Sequence, residues 1–264
     1  MTYGKMPIAN AFLLEQDYSS EYFFELAPVY CEDCGLFQLI DQPDPELLFH
    51  DEYAFHASTS TVMQKHFKDL SDSVITRFGL KQDQLAVEIG NNDGGMVHYL
   101  KEMNYNHLGI DPSKNVADIA ASKGVNMINA FFGREVAQSV LSKEGPAKIF
   151  LAANTLAHIP DISSVFQGVD ELLSKDGVFI TEDPYLIDVF EKTSYDQIYD
   201  EHVFIFSLTA MNNICKDFDL EVFDVEPLPT AGGSMRYFIG RKGQNEITER
   251  KMKFEEKENN LNLK

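Results

Sequence analysis

The 264-residue chain predicts an α/β fold, a doubly wound and mostly parallel sheet with helices on both faces. Two observations carry that expectation. Residues 85 to 183 alternate short apolar runs with segments of helical period. The first run, Leu85-Ala-Val-Glu-Ile89, enters a polar turn from Gly90 to Gly95, and helix-like Met96-Val-His-Tyr-Leu-Lys101 follows. That is a strand, turn and helix of the nucleotide-binding kind. Asp111 ends the next apolar run about twenty residues on, where an acidic side chain can take ribose hydroxyls.

The turn also carries ligand information. Gly90 lets the backbone turn tightly and come close to a bound molecule. A pyrophosphate needs bare backbone N–H groups and no nearby carboxylate. Glu88 stands before the glycine and Asn91, Asn92 and Asp93 stand after it. Glu88 and Asp93 suit a cationic sulfonium and an α-amino group better, so S-adenosylmethionine is expected over a dinucleotide.

Taken in order, residues 1 to about 50 are aromatic, proline-bearing and weakly periodic. Their one chemical feature is Cys31-Glu-Asp-Cys34-Gly35. A CxxC followed by glycine has the shape of half a zinc site. Zinc held with help from His50, His56 or another group and a reduced knuckle without metal both remain open, because no second CxxC exists and Cys215 lies in a helix-like stretch. Apolar residues Met63, Phe67, Leu70, Val74 and Phe78 predict a helix, with Gly79 as its C-cap.

Strands are then expected at 85–89, 107–110, 126–128, 148–152 and 177–182, with helices at 95–103, 114–123, 133–143 and 161–174. Ligands in such sheets bind at the carboxyl ends of the strands. Gly90, Asp111, Ala130-Phe131 and Asn154 all fall there. The alternation breaks at residues 184–210. A helix follows from Leu208 through Phe218, and 221–225 and 236–240 read as an antiparallel closing pair. Thr230 to Ser234 between them is a turn or a ligand-approach loop. From Arg241 the chain turns charged, and Glu246 to Lys264 reads as a solvated helix or frayed tail.

Composition excludes several classes. The net charge of −20 repels a phosphate backbone and argues against nucleic acid as a partner. An anionic acceptor would need local cations such as Arg236, whose other reading is a strand-face charge. Three cysteines make no disulfide framework. No run reaches the roughly 20 apolar residues that span a bilayer, and no signal peptide is visible, so the expected compartment is the cytoplasm.

Four stretches together resemble the sugar C-methyltransferases that act on nucleotide-linked deoxysugars. Pro7-Ile-Ala-Asn-Ala-Phe12 with the CxxC resembles the second half of that family's zinc-binding N-terminal domain. Glu88 to Gly94 with Gly109-Ile-Asp-Pro112 resembles its cofactor signature. Ala153-Asn-Thr-Leu-Ala-His158 resembles its strand-four motif. Tyr195-Asp-Gln-Ile-Tyr-Asp-Glu-His202, with Phe206 to Ala210 and Gly232 to Arg236, resembles its catalytic segment, and this is the most specific of the four.

The resemblance implies a class I, Rossmann-like methyltransferase domain at 51–242, with a partial zinc-binding-like region at 1–50 and a charged helical tail at 243–264. It implies a cofactor site of Glu88, Gly90, Asn92, Asp93, Asp111, Pro112, Phe131 and Asn154, with Phe131 beside the adenine. The family's earlier CxxC pair and its third, C-terminal domain have no counterpart here. The chain therefore resembles a truncated member, for which a separate chain would supply the missing C-terminal domain.

Methylating carbon requires a carbanion equivalent, and a ketone beside the target C–H provides one as an enolate. Such chemistry needs a base near neutral pKa, donors toward the developing oxyanion, and the methyl group in line with the carbon. By resemblance and residue type His202 is the expected base. Tyr199 and His202 would share a face if 199–202 forms a helical turn, with Glu201 turned toward substrate hydroxyls. Tyr53 and His158 are expected to position the substrate or stabilise the enolate. Two rival readings stand beside this one: an O- or N-methyltransferase on a small metabolite, and a non-catalytic cofactor-binding fragment.

Overall fold

The computed structural model describes residues 2–261. The N-terminal region forms β1 (Lys5–Pro7), β2 (Phe23–Glu25), β3 (Pro28–Tyr30), β4 (Phe37–Leu39) and a short α1 (Pro45–Leu48). Helix α2 (Thr61–Phe78) buries Phe67, Leu70 and Val74, and ends at Gly79 in the left-handed conformation, φ 60°, as its spacing and C-cap predict.

The main body then alternates β5 (Leu85–Ile89), α3 (Gly95–Glu102), β6 (His107–Asp111), α4 (Lys114–Ser122), β7 (Met127–Asn129), α5 (Arg134–Glu144), β8 (Ala147–Ala153), α6 (Ile162–Leu172) and β9 (Leu173–Pro184). After it come α7 (Leu186–Lys192), β10 (Phe204–Ile205), α8 (Leu208–Lys216), β11 (Leu220–Leu228), β12 (Ser234–Arg241) and α9 (Glu249–Asn260). The first two large-sheet strands have their expected cores. The fifth begins four residues earlier than expected, because pairing with β8 extends from Leu173 to Glu182 across a register shift.

The seven-stranded sheet has the order β11-β12-β9-β8-β5-β6-β7. Strands β5 to β9 are mutually parallel, and β12 runs antiparallel between β9 and β11. Side chains of one strand alternate between two cores. Leu85, Val87 and Ile89 join the core under α5, α6 and α8, whereas Ala86 joins the core under α2, α3 and α4. A strand covered on both faces must be apolar throughout, which is why β5 reads as a run rather than an alternation.

The chain leaves β5 toward β6 on one side and later returns to β8 on the other. That reversal opens a crevice beyond the carboxyl ends of these strands. A three-stranded sheet, β10-β4-β3, fastens the N-terminal region to the chain just after His202.

Two expectations are refined. The C-terminal segment is a largely exposed helix over 249–260, as expected, but it docks through one buried carboxylate. Glu258 is buried and accepts from the Tyr185 hydroxyl at 2.8 Å and from the Leu208 and Thr209 amides at 2.7 Å each. Thr248 caps α9 and, with Arg250, bonds the buried Asp224 on β11. Arg236 is not a free cation for an acceptor phosphate. It is buried, with Nε 2.5 Å from Glu182 and Nη1 2.9 Å from Glu226. Burial pushes Glu182 up, but the His66 hydrogen bond and Arg236 more than offset it, so the carboxyl stays below its ordinary value. Among the described residues no helix is long and apolar enough to cross a membrane.

Candidate active site

A cavity of about 600 Å³ opens at the carboxyl ends of β5, β6 and β8. Its wall includes Glu88, Gly90, Asn92, Asp111, Pro112, Phe131 and Asn154 together with Tyr53, His158, Tyr199, Glu201 and His202. Residues from stretches more than a hundred positions apart thus share one chamber. Of the thirteen side chains expected at the two half-sites, Asp93 alone does not line it.

The β5 turn is built on close backbone approaches. Gly90 has φ 62°, and a Cβ there would collide with the Thr155 side chain. Gly95 has φ 34°, and a Cβ there would lie 2.5 Å from Glu88 Oε1. Both glycines are therefore required by conformation and by space. Asn92 and Asn154 also hold positive φ, 52° and 49°, a conformation asparagine tolerates better than most residues.

The roles within the turn differ from those expected. Glu88 uses both carboxylate oxygens to accept from Met96 N at 3.2 Å and Val97 N at 2.8 Å. It anchors the N-terminus of α3 at the cavity floor, where orphan amides and the helix dipole favour an anion. Burial still pushes its carboxyl up to about 8, against those two amides. Asp93 points away from the cavity. It accepts from Ser58 N at 2.9 Å, from the Ser58 hydroxyl and from Lys123, and these contacts outweigh burial and hold its pKa low. Asn92 spends its side chain on Ala57 N and the Phe55 carbonyl. Asn92 and Asp93 therefore fasten residues 55–58 over the turn.

Asp111 accepts from Asn92 N and Ser113 N, both at 2.9 Å. A carboxylate has about four acceptor positions, so capacity remains for hydroxyl donors. Burial pushes its pKa up. Phe131 is half exposed at the cavity mouth. The Asn91 side-chain oxygen is buried with no partner and also lines the chamber.

On the facing wall the Tyr195–His202 segment turns tightly, with His202 N bonded to the Tyr199 carbonyl at 3.1 Å. That turn brings the Tyr199 and His202 rings within 4.5 Å, centroid to centroid. His202 Nδ1 lies 2.8 Å from the Gln197 carbonyl. A carbonyl can only accept, so Nδ1 carries the proton and Nε2 keeps a free lone pair. Burial pushes the imidazole down to about 4, so the ring is unprotonated at neutral pH but a weaker base than a free histidine. His158 stacks on Phe49 at 5.6 Å, its Nε2 is buried without a partner, and burial holds its pKa far down.

Glu201 accepts from the Tyr53 hydroxyl at 3.2 Å and from Asn10 Nδ2 at 2.5 Å. Burial raises its pKa, and burial beside Glu201 raises those of Tyr53 and Tyr199 strongly, so both phenols stay protonated as donors. Asn10, Phe49, Thr155 and Gln197 complete the site; all but Phe49 lie within the quoted motif stretches, yet the sequence assigns none of the four a site role. Asn10 and Phe49 sit in the weakly periodic N-terminal region, and Gln197 acts through its main chain, which no side-chain motif reveals.

The donor and acceptor inventory tests the ligands the fold implies. The cavity offers Asp111 with spare acceptor positions, while the Glu88 and Glu201 oxygens are already engaged, and no Lys or Arg stands among the described lining residues. Asp111 fits ribose hydroxyls, and a lining without cations leaves room for a sulfonium. Zinc fits less well. Hydrogen bonds from the CxxC loop lower the Cys31 pKa, burial raises that of Cys34, and Cys215 is buried in α8. Among the described residues no group of three or more His, Cys, Asp or Glu could hold a metal ion. Neither His50 nor His56 supplies the missing ligands, and two thiols do not make a four-ligand site.

Comparison with known proteins agrees with the geometry. Residues 63–225 match a family model described as "Methyltransferase domain", and residues 1–49 match one described as "Putative zinc binding domain". The C-methyltransferase NovU of Streptomyces niveus is 34% identical over 239 residues, which cover 90% of this chain and 57% of that protein. The chain therefore spans little more than half the length of that relative.

Solved structures with the same fold include an S-adenosylmethionine-dependent methyltransferase from Anabaena variabilis. Its TM-score is 0.52 at 18% identity, over 66% of this chain and 84% of that one. The magnesium protoporphyrin IX methyltransferase of Synechocystis with bound S-adenosylhomocysteine gives a TM-score of 0.54 at 12% identity, over 68% and 83%. The chain belongs to the methyltransferase-domain family and has the class I, S-adenosylmethionine-dependent methyltransferase fold.

Proposed function

We propose that this chain transfers a methyl group from S-adenosylmethionine to a carbon next to a ketone on a nucleotide-linked deoxysugar. The observation that carries the reading is that the β5 turn and Asp111 line the same cavity as Tyr53, His158, Tyr199, Glu201 and His202. Its likeness to a named C-methyltransferase over 90% of the chain favours carbon as the acceptor atom.

Bound S-adenosylmethionine supplies an electrophilic methyl group on a positively charged sulfur. The residues present would divide the remaining tasks. Gly90 would let the β5 turn approach the cofactor, Asp111 would accept from its ribose hydroxyls, and Pro112 and Phe131 would serve the adenine end. Asn154 closes the β8 end.

His202 Nε2 would take the proton from the carbon beside the ketone, while Nδ1 stays on the Gln197 carbonyl. The electron pair moves onto the ketone oxygen, toward which the Tyr199 or Tyr53 hydroxyl would have to turn from Glu201 in order to donate. His158 walls the reacting carbon and excludes water. With the enolate formed, its carbon would bond to the methyl carbon as the sulfur–methyl bond breaks and the electron pair returns to sulfur, leaving a neutral thioether, and the proton would leave from His202 to solvent.

No Lys or Arg among the described residues lines the cavity. In this reading the acceptor's phosphates lie beyond it, held by a further chain or segment. Calorimetric titration of the purified protein with S-adenosylmethionine tests the first half of the proposal. Saturable binding that weakens in Asp111→Ala supports it, and no binding at millimolar cofactor sinks it. The rival O- or N-methyl chemistry is separated by product analysis, since those products carry the methyl on a heteroatom.

A further inference from the structure

We propose that Asn10, contributed by the N-terminal region, is a positioning residue that orients the Glu201 carboxylate toward Tyr53 in the active site. This deepens the methyl-transfer reading and rests on it. It assigns the N-terminal region a part in the chemistry as well as in the fold.

Two consecutive contacts carry the inference. Ala9 N donates to both Asp200 carboxylate oxygens, at 3.3 and 3.2 Å, and Asn10 Nδ2 donates to Glu201 Oε1 at 2.5 Å. Neighbouring residues in the turn after β1 thus grip neighbouring residues on the catalytic loop, 191 positions away. Asn10 itself lines the cavity. Only Oε2 of Glu201 reaches the Tyr53 hydroxyl, because Oε1 is held by the amide. With Asn10 removed, the carboxylate is free to rotate and Tyr53 loses a fixed acceptor.

The grip is also braced from outside. Strand β10, which begins two residues after His202, pairs antiparallel with β4, and Leu39 N donates to the Val203 carbonyl at 3.0 Å. The catalytic loop is therefore clamped at Asp200–Glu201 and again at Val203–Ile205. A loop held at both points keeps the Tyr199–His202 ring contact in one arrangement, which is what a reaction sensitive to fractions of an ångström requires.

The consequence is electrostatic as well as steric. Glu201 is buried, and it faces Tyr53 and Tyr199 from two segments, with Asp200 and His202 beside it on its own loop. A buried carboxylate is stabilised as an anion chiefly by its donors. Removing the amide leaves Oε1 unmatched, so the protonated carboxyl gains on the anion. Protonated Glu201 would donate where the anion now accepts from Tyr53.

The test compares Asn10→Ala and Asn10→Gln, each also in a Glu201→Gln background. In the otherwise native protein, Asn10→Ala is expected to lower kcat roughly tenfold or more. The Kd for S-adenosylmethionine should not change, and Asn10→Gln should recover part of the loss. The melting-temperature deficit of Asn10→Ala should be larger at pH 8 than at pH 5, and pH-independent once Glu201 is Gln.

A deficit that is equal at both pH values, or unchanged by Glu201→Gln, overturns the proposal. So does an unaltered kcat. The stability measurement needs no acceptor. If S-adenosylmethionine does not bind, the methyl-transfer reading fails while the pH-dependent coupling still decides the Asn10–Glu201 link.

Discussion

His158 and His202 stand side by side in the cavity wall, ring centroids 5.1 Å apart, and burial keeps both imidazoles neutral. Only His202 has a partner that fixes its tautomer, the Gln197 carbonyl. The two rings therefore differ in role. His202→Asn should lower the methyl-transfer rate by about 10² to 10⁴, the range for a lost general base. His158→Asn should cost less, because it removes packing rather than the proton acceptor. Single-turnover assays at saturating cofactor measure both.

The same pair predicts an acid limit on stability. His202 has a folded pKa near 4, below the unfolded value of about 6.5. The unfolded chain then binds protons that the folded chain refuses. The contribution is fully present above pH 6.5 and is lost as pH falls toward 4, on the order of 3 kcal/mol for His202 alone. Melting temperatures measured from pH 7 to pH 4.5 should fall, and less steeply in His202→Asn.

Close packing at the β5 turn predicts a different sensitivity. Gly90→Ala places a methyl group into the Thr155 side chain at a φ of 62°. It should destabilise the protein by roughly 1 to 3 kcal/mol through strain and overlap. Cofactor affinity should fall with it. Adding Thr155→Ala should recover part of the stability, since the hydroxyl and methyl that meet the new Cβ are removed. Thermal unfolding and cofactor titration report the two effects.

The C-terminal helix makes a third point of vulnerability. Glu258 meets the Tyr185 hydroxyl, two amides at the start of α8 and the Thr209 hydroxyl. Glu258→Ala leaves these buried donors unmatched and should cost about 2 to 4 kcal/mol. It lies away from the cavity lining, so the Kd for S-adenosylmethionine should hold. Denaturant unfolding against calorimetric titration separates the two.

Much of this architecture was legible in the sequence. The β5 run is apolar on both faces because helices cover both, and that pattern marks a central parallel strand. Gly90 is forced by a left-handed turn, and Asp111 by its place at the end of β6. Motif spacing also brought Tyr199 and His202 onto one face. Other contacts leave no local trace. Asn10 and Glu201 meet across 191 positions through the tertiary fold, and nothing near Asn10 in the chain announces that. Glu258 stands in a Glu- and Lys-rich helix that reads as solvated, and only the tertiary fold shows which carboxylate is buried. Asp93 has the residue type expected of a ligand contact, yet Ser58 and Lys123 consume it.

The cysteines give a further prediction. Hydrogen bonds from the CxxC loop lower the Cys31 pKa, whereas burial raises that of Cys34 and pushes Cys215 up to about 12. Thiolates react and thiols do not. Brief alkylation of the folded protein at neutral pH should label Cys31 first and leave Cys215 untouched. Prior treatment with a chelator should change neither the order nor the melting temperature. Mass spectrometry of the digested protein reads the order.

The central claim is that this chamber directs a methyl group onto carbon. Its most direct test supplies S-adenosylmethionine with a ¹³C-labelled methyl group and a nucleotide-linked keto-deoxysugar, and follows the product by NMR. The account predicts a labelled methyl carbon bonded to the ring carbon beside the ketone, formed by the native protein and lost in His202→Asn. A label found on oxygen or nitrogen, or a carbon product that His202→Asn forms at the native rate, would contradict it.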